Sequence, residues 1–270
     1  MSEVKLTYSQ LLSSKPTYIG IGHIKPPTVN DRWDLGEGLW GQYTAYVSLT
    51  LDNYYCAFLP DKYDDFLNLP FKERTSVNLF DLISEDSDIL LIYVNIFNFF
   101  FVEKVIYKIK EKRFELYEHL KQEDGTIKEN ITGYIDREIF DDVLAIIMQF
   151  TNIHVDRSVS DNLSREEDDT TIYIQRRNDK LAAKRGGKRN PLGDSKYDVG
   201  NVISVVCAYG NNGINVLNVG DVTMFNLYDQ FQRILIDRNY QIMARNASVY
   251  GTEGSEFKED SYLQNFHSEN

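Results

Sequence analysis

The sequence predicts an α+β protein, predominantly helical, with a small antiparallel β element in the middle of the chain. Three observations predict it. Apolar residues recur at helical spacing in the first and last thirds of the chain. Between Val105 and Glu118 they alternate instead with charged residues, the period of a half-exposed strand. Glycine, proline and Asp-Gly or Asn-Asn-Gly steps punctuate the pattern where it changes. At 270 residues, with 42% hydrophobic and 26% charged residues, the chain is long and apolar enough to bury a sizeable core.

From the N-terminus, Tyr18 to Ile24 reads as a short strand ended by Pro26 and Pro27. Thr28 with Asp31 is placed to cap the helical turn that follows. Leu39, Tyr43, Tyr46, Val47 and Thr50 or Leu51 then set a helical rhythm through Leu59, which Pro60 stops. Ile89 to Val102 is the most apolar run, interrupted by Asn95 and Asn98. A membrane span needs about 20 such residues, so this reads as a buried core helix, with Ser87 as its N-cap. Val105, Tyr107 and Ile109, then Phe114 and Leu116, form a strand pair, and 124-DG-125 begins a further arm from Ile127 to Tyr134. Asp136 caps a helix carrying Ile139, Val143, Ile146, Ile147 and Phe150.

Residues 156–170 read as a solvated loop, and a helix follows from about Thr170 to Lys184, ended by Gly186-Gly187. Val202, Val205, Val206 and Tyr209 stripe another helix, which ends at Gly210. Asp221 caps a long one with Phe225, Tyr228, Phe231, Ile234 and Leu235 on one face. No internal repeat of fixed period is expected. The organisation predicted is an N-terminal α+β region over 1–152, a charged loop and basic helix connector over 153–196, a C-terminal helical region over 197–254 and a polar tail over 255–270, with one compact domain as the alternative.

Composition narrows the function classes. The net charge of −12 disfavours general affinity for polyanions, so any nucleic-acid contact would have to be local. Cys56 and Cys207 are the only cysteines and read as buried free thiols rather than a disulfide framework. No basic region followed by an apolar run opens the sequence, so no secretory signal is expected.

The local exception to the negative charge is 176-RRNDKLAAKRGGKRNPLG-193, with seven cations against Asp179. Its GGK is not a phosphate loop. That loop needs G-x-x-x-x-G-K-[ST] between a strand and a helix, whereas here the glycines follow a helix and Arg189 follows Lys188. Cations in a helix's last turn complement its dipole, and the acids from Asp161 to Asp169 suit the opposite end. The alternatives are a docking surface for an acidic protein and a nucleic-acid contact through Lys184, Arg185, Lys188 and Arg189. The absence of aromatic residues for base stacking weighs against the latter.

The segment 36-GEGLWG-41 matches the dinucleotide pattern G-x-G-x-x-G, but VNDRWDL rather than an apolar strand precedes it, and Glu37 would face the phosphates. The four histidines lack metal-ligand spacing. Asp64-Asp65 and Asp141-Asp142 are adjacent, so on a helix their carboxylates diverge. The sequence therefore predicts no catalytic, cofactor-binding or metal-binding residue and no enzyme activity. The stripe Phe225, Tyr228, Phe231 and Ile234 is read as core or, alternatively, as a groove for a partner helix.

Two blocks carry a resemblance. One is 18-YIGIGHIKPPTVNDRWDLGEGLWGQYTAYVSLTLD-52; the other is 214-INVLNVGDVTMFNLYDQFQRI-234 with 240-YQIMARNASVYG-251. On these blocks the chain resembles tail-morphogenesis proteins of tailed phages and is similar to tail assembly chaperones encoded beside the tape-measure protein. The blocks cover about a quarter of the chain and are structural in kind. The resemblance implies a non-enzymatic protein of the host cytoplasm or the virion, acting as a chaperone or as a tail or adaptor component. Its expected partners are tape-measure or tail-tube proteins or further copies of itself, with no membrane and no cofactor. Such chaperones are usually shorter and more helical than this chain, whose strands from Val105 to Leu116 depart from the pattern. The alternative is a nucleic-acid-associated phage protein that uses segment 176–189.

Overall fold

Thr7 opens the first helix with a capping box: its hydroxyl accepts from the Gln10 N–H while the Gln10 side chain returns to the Thr7 N–H. The computed structural model describes residues 5–121, 127–153, 198–209 and 213–250. After α1 (Tyr8–Leu12) come a hairpin of β1 (Thr17–Tyr18) and β2 (His23–Ile24), then α2 (Val29–Leu35), α3 (Glu37–Val47), α4 (Leu51–Phe58), α5 (Pro60–Asn68), α6 (Phe71–Arg74), α7 (Leu79–Glu85) and α8 (Ser87–Phe100). The strands β3 (Lys104–Lys108), β4 (Arg113–Lys121) and β5 (Ile127–Ile135) follow, then α9 (Phe140–Thr151), α10 (Val199–Tyr209) and α11 (Met224–Tyr250). The protein is a predominantly helical α+β fold with its three-stranded antiparallel sheet in mid-chain.

Helix α8 organises the larger core. Ile89, Tyr93, Ile96, Phe97 and Phe100 are all buried, at the three- and four-residue steps that share one helix face. Around Phe97 lie Phe114 at 4.9 Å and Phe140 at 6.0 Å between ring centroids, both edge-on, the arrangement aromatic quadrupoles prefer. The Tyr93 hydroxyl donates to the Tyr46 carbonyl at 2.8 Å, so its one polar atom is satisfied in the interior. Asn98, an unexpected residue in so apolar a run, bonds both backbone groups of Val105 (2.8 and 2.9 Å) and thereby starts β3 directly beside the helix.

The sheet is an antiparallel meander in the order β3-β4-β5. Val105, Phe114, Leu116 and Ile135 point into the core, while Arg113, Glu115 and Tyr117 line the alternate face. There the Glu115 carboxylate accepts from the Tyr117 hydroxyl (2.5 Å) and from Arg113 Nη2 (2.6 Å). These two donors, the tyrosine first, hold the Glu115 carboxyl below its ordinary range. A depressed folded-state value stabilises the fold above the unfolded-state value of about 4.3. That stabilisation is lost as pH falls through the lower folded value. Urea titrations of wild type and Glu115→Gln should therefore show wild type the more stable at pH 6, with the gap closing below about pH 4. A gap independent of pH would show that the carboxylate's charge does not contribute.

Several elements differ from the sequence reading. Tyr18 to Ile24 is not one strand: Gly20, at φ +93°, turns the chain back so that Thr17 pairs with Ile24 and Tyr18 with His23. The hairpin lies across β5 at Gly133, where a Cβ would fall 2.4 Å from the Ile21 carbonyl oxygen. The Leu39–Leu59 rhythm is two helices, because the Thr50 hydroxyl caps α4 by accepting from the Asn53 N–H. Pro60 is the first residue of α5 rather than a terminator alone, a position where its missing N–H costs nothing. Asp86, not Ser87, caps α8 through the N–H groups of Asp88 and Ile89. Asp136 accepts from Glu138 and Ile139, one turn before α9 proper. At α11 the cap is Thr223, whose hydroxyl accepts from Asn226, while Asp221 ends a separate short turn. Cys56 is exposed and not buried, because its helix α4 turns that face outward. The expected loop over 156–170, the helix over 170–184 and the DG turn at 124–125 lie outside the described residues.

A second core cluster joins the C-terminal helices to the N-terminal region. Val202 and Val206 of α10 and Leu227, Phe231 and Ile234 of α11 pack with Val29 and Trp40. Leu35 and Phe99 pack against both clusters, so the two are contiguous. Helix α1 adds a further tie: the Tyr8 ring meets Phe225 edge-on at 6.2 Å, and its hydroxyl bonds Asp229 (3.0 Å) and Arg233 (2.8 Å).

Candidate docking surface

The stripe read from the sequence as core or groove is core. Phe225, Phe231 and Ile234 are buried and Tyr228 is half-buried, against α10, α1 and the residues around Trp40. Their apolar area is already covered by this chain. Lys184, Arg185, Lys188 and Arg189, with the rest of segment 176–189, lie outside the described residues.

The exposed apolar face lies further along the same helix. Helix α10 ends at Tyr209, whose hydroxyl bonds the Asp237 carboxylate of α11. That carboxylate also accepts from Gln241 Nε2 at 2.8 Å and raises the Tyr209 hydroxyl above its ordinary value, first because ionising it would give up the hydrogen bond to Asp237 and then because burial disfavours the charged form. Beyond this tie α11 runs on to Tyr250, about 20 Å at 1.5 Å per residue. Among the described residues, neither core cluster takes anything of α11 past Ile234. On this overhang Ile242 and Val249 are 58% and 71% exposed, and Leu235, two residues before the tie, is 44% exposed.

Those three residues are seven apart, and the sequence around them repeats: 235-LIDRNYQ-241, 242-IMARNAS-248, 249-VY-250. Seven residues are close to two helical turns, so corresponding positions fall on one line that drifts about 20° per repeat. Leu235, Ile242 and Val249 alternate along that line with Asn239 and Asn246, and Arg238 and Arg245 flank it. Apolar and asparagine positions in heptad alternation with charged flanks form the surface one helix presents to another.

Between α10 and α11, Val216 and Leu217 are 77% and 92% exposed. The turn is held from within. Asn215 Oδ1 accepts from the Leu217 N–H, Asn218 Oδ1 accepts from the Asn215 N–H, and Asn218 Nδ2 donates to the Gly213 carbonyl. A separate shallow groove of about 460 Å³ lies at the α3–α4 corner between Tyr46, Leu49 and Phe58, with Cys56 at its edge.

The sharper chemical readings gain no support from the geometry. Gly36 ends α2 and begins α3, and the rest of GEGLWG is helical, so no strand leads into it. His23 Nδ1 sits 2.7 Å from buried Glu103, whose two oxygens also accept the His23 backbone N–H. That arrangement fastens the β1–β2 hairpin to the start of β3. Among the described residues no group of three or more His, Cys, Asp or Glu side chains is placed to hold a metal ion. No described helix is long and apolar enough to cross a membrane.

A search of curated proteins finds no match to this chain, and a search of solved structures finds none. A family model does match part of it, and the match is compatible with a phage protein. It spans residues 188–267, which include both α10 and α11 with its overhang, and the family is described as the YomV second domain, to which this stretch of the chain is similar.

Proposed function

We propose that the chain is a non-enzymatic phage protein of the tail-assembly kind, a chaperone or tail component that works in the host cytoplasm or the virion through protein–protein contact. The observation that carries this reading is the exposed Leu235–Ile242–Val249 line on α11, within the stretch similar to the YomV second domain. Apolar residues left exposed along one line of a helix support reading that line as an interaction site. The chain's net charge of −12 keeps like molecules apart while such a face is presented. The phage part of the reading rests on the family match together with the two sequence blocks at 18–52 and 214–251.

The test is affinity capture of the full chain from phage-producing cells, with and without nuclease, read by mass spectrometry. Recovery of tail proteins that survives nuclease is expected. Recovery of no phage protein, or loss of everything bound on nuclease treatment, would overturn the reading.

A further inference from the structure

We infer that the α11 overhang docks an acidic amphipathic helix of another protein, packed along Leu235, Ile242 and Val249. The inference rests on the reading of the chain as a protein-binding protein and names the chemistry of what it binds. Three features of the overhang select this partner.

First, the exposed line has the geometry of a helix seam: apolar residues seven apart, with Asn239 and Asn246 at the intervening steps. Asparagine in such a seam lowers affinity but fixes register, since each amide seeks a polar group at one height on the facing helix.

Second, the charge beside the seam is of one sign. Arg238 and Arg245 are exposed and flank it, whereas Asp237, the only acid from 235 to 250, is engaged by Tyr209 and Gln241 toward α10. A chain with net charge −12 thus offers a positive helix face here. Flanking charges set partner choice in paired helices, so the complement carries Asp or Glu at seven-residue spacing.

Third, the same arginines disfavour a second copy of the overhang. Antiparallel pairing centred on Ile242 would bring Arg238 and Arg245 of one copy alongside those of the other. Parallel pairing would offer them Ile236 and Met243 on the facing helix, with no carboxylate.

The experiment uses the full chain and two synthetic helical peptides, each roughly three heptads long and identical in apolar seam positions. One carries Glu at every flanking position and the other Lys. Binding is followed by fluorescence anisotropy at low salt, and sedimentation velocity reports the chain's own oligomeric state. The Glu peptide is expected to bind at least about tenfold more tightly than the Lys peptide. Ile242→Glu should abolish that binding without loss of circular dichroism. The double reversal Arg238→Glu with Arg245→Glu should invert the preference, an effect that misfolding could not produce.

Equal affinity for the two peptides, or no binding of either, would overturn the inference. So would a wild-type oligomer that Ile242→Glu converts to monomer, since the occupant would then be a second copy. The wider reading fails differently. Tail proteins captured equally by wild type and by the arginine-reversal variant, with no peptide bound, would leave tail assembly standing and remove this surface. Peptides bound as expected, with no tail protein captured, would do the reverse.

Discussion

Phe97→Ala is expected to lower the unfolding free energy by about 3–5 kcal/mol, the range for emptying a fully buried aromatic position. Phe97 is fully buried between Tyr93, Phe101, Phe114 and Phe140, which belong to α8, the segment just after it, β4 and α9. Its removal opens a cavity where three parts of the fold meet, and the rings packed around it leave little freedom to collapse into it. Folded domains are stable by about 5–15 kcal/mol, so a large part of the stability should go. Urea unfolding followed by circular dichroism should show the midpoint fall with its slope unchanged. Leu91→Ala on the same helix is the control: Leu91 is 60% exposed, and its substitution should stay within about 0.5 kcal/mol. Equal shifts for the two variants would show that the aromatic cluster does not hold the fold together.

Much of this core was legible in the sequence because it lies in local periodicity. The run from Ile89 to Val102 is apolar enough to mark a core helix, and the structure covers one face of it, Ile89, Tyr93, Ile96, Phe97 and Phe100, with α3, α7, β3 and β4 while Leu91 stays exposed. Alternation from Val105 to Leu116 gave the strands their faces, with Phe114 and Leu116 inward and Glu115 outward toward Tyr117. What the sequence concealed depends on single residues acting at a distance. Gly20 and Gly133 make the hairpin possible, one by its positive φ and the other by having no Cβ beneath Ile21. Neither effect has a periodic signature. Thr50 outweighed the continuous helical rhythm around it by offering one hydroxyl to one N–H.

The proposed docking surface shows a different kind of concealment. Residues 225–234 and 235–249 carry apolar side chains at helical spacing on one continuous helix, so composition cannot say which half is covered. Among the described residues α10 packs beside α11 as far as Tyr209, opposite Asp237, and Ile242 and Val249 beyond that point are exposed. The recurrence of an apolar residue and of Arg-Asn at seven-residue spacing is present in the sequence, but it is confined to one helix. The basic segment 176–189 offered the louder signal because its charge opposes that of the chain. The two arginines beside the seam do the same on a smaller scale.

The division of α11 into a packed half and a presented half has a direct consequence for substitution. Phe231→Ala should cost about 3–5 kcal/mol, because Phe231 is buried with Trp40, Val202 and Leu227 in the second cluster. Ile242→Ala should leave stability within about 0.5 kcal/mol, since Ile242 is 58% exposed. For capture of a partner the order reverses at temperatures where both variants are folded: Ile242→Ala weakens it and Phe231→Ala does not. Because Leu35 and Phe99 pack on both clusters, Phe231→Ala should also lower the temperature of a single calorimetric transition rather than split off a second one. Two separated transitions, only one of them moved by Phe231→Ala, would mean that the α10–α11 pair unfolds independently of the aromatic core. The overhang would then be carried by a unit able to detach from the rest of the chain.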